Sequence, residues 1–141
     1  MEPSQACIDL VKEFEGCKLD AYQDVVGVWT IGYGHIEGVN QGDTISQQEA
    51  DIMLMSDLHD KAEAVSKLIH YDVTQNQFDA LVSFAYNLGV GNLASSTLLK
   101  MINAGSADAA ADQFLRWDKA GGVEVAGLER RRKAEMDLYQ S

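Results

Sequence analysis

Proline is nearly missing from this chain: Pro3 stands alone in 141 residues, which leaves everything behind it free to run in long helices. Cysteine is scarce as well, with only Cys7 and Cys17. If the first lies on a helix and the second just past its end, they stand about 15 Å apart at 1.5 Å per residue. A disulfide needs Cα atoms within about 7 Å, so both read as free thiols, Cys7 in the core and Cys17 incidental. The histidines, His35, His59 and His70, have no ligand-like spacing, and no His-Glu-x-x-His motif occurs. Nothing here specifies a metal or a cofactor. No apolar run approaches the roughly 20 residues that cross a bilayer. Met1 to Lys12 lacks the basic start and apolar stretch of a signal peptide. As written, the chain reads as cytosolic and needs help to cross a membrane.

Positive charge is also in short supply, with 11 Lys and Arg against 22 Asp and Glu, a net −11. That argues against general binding to nucleic acid or anionic membranes. The imbalance is uneven. Glu37 to Asp72 holds eight acids and two bases, whereas Arg116 to Glu135 holds six bases and four acids, centred on Arg130-Arg131-Arg132-Lys133. The plain reading of that run is a solvated helix face; the alternative is a basic cleft wall facing an anionic polymer.

What is present sorts into one domain of ordinary globular composition, 46% apolar and 23% charged. Cys7, Leu10, Val11 and Phe14 recur at helical spacing, predicting a helix from about Ser4 to Glu15 that Gly16 stops. The β formers Val26, Val28, Trp29, Ile31 and Tyr33, punctuated by glycines, predict a small antiparallel sheet of two or three strands. Ser46-Gln47-Gln48-Glu49 has the capping-box pattern and opens a long helix to about Ile69, with Ile52, Met55, Leu58, Ala62, Val65 and Ile69 as its apolar stripe. A second box, Thr74 to Gln77, opens a helix ended by Gly89. Ser95 or Ser96 caps a short helix, Thr97 to Ala104. Alanine content predicts another over Ala107 to about Trp117, then a Gly121-Gly122 turn, then a last helix from Leu128 to about Tyr139. The fold class is α+β, mainly α. Residues 1–45 form an N-terminal helix plus a small sheet lobe, 46–70 a connecting helix and 71–141 a helical lobe. A cleft between lobes is the natural ligand site.

The acids carry the chemistry. Glu15 falls on the last turn of the first helix, Asp24 in the turn after Ala21-Tyr22-Gln23, and Thr30 on a strand. A hairpin packed beside the helix end brings all three to one side of the sheet. Hydrolysis of a glycosidic bond needs one protonated carboxyl for the leaving oxygen and a second carboxylate across the sugar. A nearby hydroxyl can hold the attacking water. Singly, each residue has a duller role: a solvated helix-end charge, a turn aspartate bonding its own backbone, a strand former.

Glu15-Gly16, Ala21-Tyr22-Gln23-Asp24, Gly27 and Thr30-Ile31-Gly32-Tyr33-Gly34-His35 together resemble the phage-type lysozymes of glycoside hydrolase family 24. These are the endolysins related to the T4 and lambdoid-phage muramidases. The resemblance continues through Phe84 to Gly89, Ser96 to Leu99, Trp117, Gly121-Gly122, Gly127-Leu128, Arg131-Arg132 and Glu135. It implies a lysozyme-like fold and hydrolysis of the β-1,4 bond between N-acetylmuramic acid and N-acetylglucosamine in peptidoglycan. Glu15 takes the place of the general acid, Asp24 of the second carboxylate and Thr30 of the water-positioning residue. As in T4-like members, inversion is expected, with carboxyl groups about 6.5–9.5 Å apart in the productive cleft. Ile36, Tyr86 and Thr97 match glycan-contacting positions. His35 and Asp57 match an ion pair bracing sheet against helix, and Arg131 matches an arginine approaching the catalytic glutamate. A close cation favours the ionised acid, which desolvation must offset. The implied partner is the peptidoglycan glycan strand. The implied life history is a monomer in the host cytoplasm, released to the periplasm and wall with a holin's help. Cys17 departs from the family, where a basic residue is common, and the strong acidity implies sensitivity to ionic strength.

Three other readings compete: a wall-binding module that has lost turnover, the same muramidase in a cell-puncturing or antibacterial device, and a metalloenzyme. Filled acid positions argue against the first and histidine spacing against the last. Gene neighbours, not residues, separate the second from an endolysin.

Overall fold

The computed structural model describes residues 1–120 and 122–141. Helix α1, Gln5–Glu15, ends where Gly16 takes φ 65°. Strands β1, Lys18–Gln23, and β2, Trp29–Gly32, pair antiparallel, with Tyr22 opposite Thr30 and Gln23 opposite Trp29. Thr44 adds only a single bridge to Asp20, so the third strand shrinks to a contact. The first strand lies earlier than the β formers suggested. Val26 sits in the turn, exposed, because the Asp24 carboxylate takes its amide and that of Val28.

Helix α2, Gln47–Leu68, and helix α3, Gln75–Leu88, both open on complete capping boxes. Ser46 Oγ accepts the Glu49 amide at 3.1 Å and Glu49 accepts the Ser46 amide at 3.1 Å. Thr74 and Gln77 repeat the exchange at 3.0 and 2.9 Å. The stripe of α2 needs correction. Ala50, Leu54, Leu58, Ala62 and Val65 are buried, while Ile52 and Met55 face solvent. At 3.6 residues per turn Ile52 lies about 120° from Leu58 around the helix, outside the buried arc. Spacings of three and four fit either phase, and packing against α3 chooses between them.

α3 is the centre of the core. Every residue from Gln77 to Ala85 is buried, because α1 and α2 cover two of its faces and the C-terminal helix a third. The short α4, Val90–Ser95, had no counterpart in the expected pattern; α5, Thr97–Asn103, follows with Ser96 as its cap. The expected alanine-rich α-helix is instead a 310 helix, Asp108–Arg116, whose buried side is narrow: Ala110, Ala111 and Phe114. A hairpin of β3, Lys119–Ala120, and β4, Val123–Glu124, occupies the region expected to be a plain turn; Gly121 of that turn lies outside the described residues. The last helix, α6, Ala126–Gln140, begins two residues earlier than expected.

Aromatic contacts tie these elements together. Phe84 meets Phe114 and Trp117 edge-to-face, at centroid distances of 5.9 and 5.4 Å, and Phe114 meets Tyr139 at 5.3 Å. Asp79, wholly buried, accepts the amide and hydroxyl of Ser4 and so fixes the start of α1 on α3. Cys7 and Cys17 are both free thiols, and burial pushes the Cys7 pKa up to about 12. The architecture is α+β and mainly helical, and among the described residues no helix is long and apolar enough to cross a membrane.

Truncating the aromatic hub and removing a cap separate the two kinds of stabilisation. Phe84→Ala is expected to cost about 3–5 kcal/mol, whereas Ser46→Ala costs about 1 kcal/mol. Urea unfolding of both variants measures this, and equal losses would refute the central place given to Phe84.

Candidate active site

Two features of the backbone bring chemistry to one place. α1 stops at Glu15, so its last side chain leaves the core at the helix end, half-buried with 19% of the side chain exposed. The β1–β2 hairpin then folds back beside it. Gly34, at φ +85°, passes so close to Glu15 that an added Cβ would sit 2.8 Å from Oε1. Real Cβ atoms are not found that near an oxygen, so a side chain at this left-handed position would be strained and would push the Glu15 carboxylate aside.

On its other oxygen Glu15 accepts from Arg131 Nη1 at 2.5 Å. This overturns the plain reading of the basic run. Arg131 and Arg132 are buried, not solvated, and only Arg130 and Lys133 face water. Arg131 Nε donates to Glu135 Oε2 at 3.3 Å and its Nη2 to the Ser83 carbonyl at 3.3 Å. Arg132 Nη2 donates to Asn87 Oδ1 at 2.7 Å, and its guanidinium lies 5.3 Å from the Phe84 ring centre. Burial pushes the Glu135 carboxyl pKa up, and Arg132 and Arg131 pull it back.

Asp24 shapes its own loop. Its Oδ1 accepts the amides of Val26 and Val28 at 3.0 and 2.9 Å, and its amide donates to the Val28 carbonyl at 2.9 Å. Thr30, buried on β2, donates its hydroxyl to that same Val28 carbonyl at 3.0 Å. Tyr22 lies within the field of both acids: partial burial raises its hydroxyl pKa first, and the charges of Glu15 and then Asp24 raise it further.

A cavity of about 310 Å³ adjoins Glu15 through Gly34. His35, Ile36, Asp57 and Tyr86 line it, with Lys61 and Val90. His35 Nδ1 lies 2.7 Å from Asp57 Oδ2 and its Nε2 lies 2.9 Å from the Glu37 carbonyl oxygen. Both nitrogens face acceptors, so the ring donates at both only as imidazolium. Tyr86 is half-buried and donates its hydroxyl to the Tyr33 carbonyl. Burial raises the Tyr86 pKa, and the charges of Glu15 and Asp57 add to it. Ile36 is exposed at the cavity rim. Thr97 stands apart: it opens α5, exposed, and lines none of the cavities described. A second cavity, of about 490 Å³, lies on the α6 side of Glu15, between Glu13, Phe14, Asn87 and Arg130.

Asp118, Glu124 and Glu129 bring one carboxylate oxygen each within 4.8 Å of the others. Exposed acids commonly gather so without an ion, and nothing else marks the spot.

Sequence reasoning missed Tyr22, Gly34, Ser83 and Asn87 as parts of this site. Gly34 was legible only as a turn glycine, since nothing local announces a carboxylate against it. The Glu135 link was readable: i+4 from Arg131 and i+3 from Arg132 are facing positions on a helix.

An acid at a helix end, an aspartate closing a hairpin turn and an arginine reaching across from the last helix invite comparison with known proteins. Residues 12–135 match the model of the family described as phage lysozyme. The endolysin of Bacillus phage B103 is 48% identical over 99% of this chain and 54% of its own length, so the chain spans about half the length of that relative. The endolysin of Acyrthosiphon pisum secondary endosymbiont phage 1 is 38% identical over all of this chain and 99% of its own length. Among solved structures, the muramidase domain of SpmX from Asticaccaulis excentricus superposes with a TM-score of 0.93. It is 38% identical and covers 99% of this chain and 98% of its own. Family match, identity and superposition all run the length of the molecule, and the chain belongs to the phage lysozyme family.

Proposed function

We propose that this chain is a muramidase that cleaves the β-1,4 bond between N-acetylmuramic acid and N-acetylglucosamine in peptidoglycan, acting in bacterial lysis by a phage or prophage. Glu15 is the general acid, giving its proton to the leaving glycosidic oxygen. Asp24 takes a proton from a water that Thr30 helps to hold, and that water adds to the sugar carbon from the opposite face. The bond from that carbon to the leaving oxygen breaks as the bond to water forms, so the anomeric centre inverts. Glu15 ends ionised and Asp24 protonated, and exchange with solvent resets both. Ile36 and Tyr86 contact the glycan along the cavity, and Thr97 does so farther out. His35 and Asp57 brace the β-lobe against α2.

The observation that carries this reading is the wall shared by Glu15 and the cavity. Gly34 touches the carboxylate on one side and lines the groove on the other. Asp24 supports it, with Oδ1 held by two amides and Oδ2 left over for chemistry. We read residues 1–141 as one domain. The core runs unbroken from α1 through α3 to Tyr139 of α6. We also infer that the enzyme works as a monomer and reaches the wall from the host cytoplasm with a holin's help.

Turbidity loss of chloroform-treated Gram-negative cells tests the roles directly. Glu15→Gln and Asp24→Asn are each expected to lose about 10²–10⁴-fold in rate, and full activity in either removes that residue from the mechanism. Inversion predicts that the first product is the α-anomer. Proton NMR during turnover reads this, and a β-anomer first would make Asp24 a nucleophile instead. Gly34→Ala is expected to displace the Glu15 carboxylate and cut activity by about 10²-fold while the chain stays folded; wild-type turnover in that variant would refute the close approach.

A further inference from the structure

Glu135 cannot touch a substrate, because it is wholly buried. Yet each of its partners leads back to Glu15. Its Oε2 accepts from Ser83 Oγ at 2.5 Å, from Arg131 Nε at 3.3 Å and from Arg132 Nη2 at 3.3 Å. Its Oε1 lies 2.8 Å from Arg132 Nε, a contact of charges that is not aligned as a hydrogen bond. A guanidinium is a rigid planar fork. With its Nε edge on Glu135 and Nη2 against the carbonyl and hydroxyl oxygens of Ser83, Arg131 has Nη1 left, and that nitrogen meets Glu15. The aim of the fork is thus set on the side away from the cleft.

Charge makes a second link. Two buried guanidiniums stand behind Glu15, and Arg132 as well as Arg131 feels its field. The ionisable groups in the field of Glu15 are Arg131 from α6, which touches it, with Arg132 behind, Tyr86 from α3 and Tyr22 from β1, which also feels Asp24. Those facing Glu135 are Arg131 and Arg132 on its own helix and Cys7 from α1, which stays a thiol. Glu135 is therefore the one anion behind Glu15 in this set. Without it a general acid would face two cations, each favouring loss of the proton that the reaction needs.

We propose that Glu135 is a positioning residue for the cleavage: it fixes the aim of Arg131 and offsets the second buried cation, so that Glu15 meets one net positive charge instead of two. This rests on the reading of Glu15 as general acid. It gives the pH profile opposite signs for two substitutions. Glu135→Gln leaves both cations facing Glu15, which then loses its proton more readily, so the alkaline limb of kcat/KM moves to lower pH by about 0.5–1 unit. Arg132→Met removes the second cation and keeps Glu135, so the limb moves to higher pH by a similar amount. Glu135→Asp keeps the charge but is too short to hold the fork, so kcat falls while the limb stays. Profiles on a soluble glycan fragment, with KM followed separately, read all three. A merely structural role lowers activity at every pH and moves neither limb. Limbs that stay put, or that move in the same direction, overturn the proposal; if Glu135→Gln does not fold, the upward shift in Arg132→Met decides it alone. Glu15→Gln is measured alongside. Full activity there overturns the reading of Glu15 and this proposal with it, whereas an inactive Glu15→Gln with unmoved limbs overturns the proposal only.

Discussion

The contact between Glu15 and Arg131 is the constraint on which the rest of the molecule depends. Two guanidiniums are buried beneath it, at 3% and 0% exposure, and removing such a charge from water costs several kcal/mol. That cost is met only if each cation keeps its partners, and those partners come from three helices. α1 supplies Glu15, α3 supplies Ser83 and Asn87, and α6 supplies Glu135. Sliding α1 by one residue would withdraw Glu15 and leave Arg131 uncompensated on that edge, a loss of about 3–5 kcal/mol. The same electrostatics that stabilise the packing of the core therefore fix the position of the Glu15 carboxyl, and under the proposed function that is the group whose placement governs proton transfer.

Asp24 is placed by the opposite means. Among the described residues its carboxylate accepts hydrogen bonds from its own turn alone, and the loop it sits in is folded by that carboxylate. Oδ1 gathers the amides of Val26 and Val28, Gly27 takes φ +88° to complete the turn, and Thr30 fastens the Val28 carbonyl from the next strand. The local role of a turn aspartate and a chemical role are thus compatible in one residue, because a carboxylate has two oxygens and the turn uses one. The price is a tip of exposed valines, Val25 and Val26, which no ordinary turn would choose. One acid is anchored to the core and the other to a hairpin.

How much of this was legible depends on how far the cause lay from the effect. Both capping boxes, the glycine stops of α1 and α3 and the order of helix, hairpin and long helix follow from residues within four positions of one another. Local patterns carry such information. The phase of α2 was not legible, since Ile52 and Met55 fit the helical period as well as Ala50 and Leu54 do. Only the face of α3 decides between them. Alanines at 109–111 promised an α-helix, but a segment squeezed between α5 and α6 winds more tightly, as a 310 helix. The acids Glu15 and Asp24 could be picked out because glycines and a tyrosine surround them in a specific order. The burial of Arg131 and Arg132 could not, because four consecutive bases look solvated until a carboxylate 116 residues away is known to meet one of them.

That burial changes what the acidity of the chain means. A basic cleft wall would have balanced the net −11 locally and drawn in an anionic polymer, but the two central arginines are spent inside the protein. Of the bases left outside, Lys133 is held by Glu129 at 2.9 Å. The cavity wall contributed by α2 presents Asp57 and Asp60 against a single Lys61. Under the proposed function, long-range attraction toward this groove is weak, and the uncharged side chains it offers a sugar ring are Tyr86, Ile36 and Val90. The two kinds of charge in the molecule also respond differently to salt. Fields from the exposed acids die away within about 8 Å at physiological ionic strength, whereas pairs sealed in the core are screened far less. Under the proposed function salt accordingly weakens the repulsion that opposes approach to the wall, and it disturbs far less the buried pairs that hold Glu15 in place.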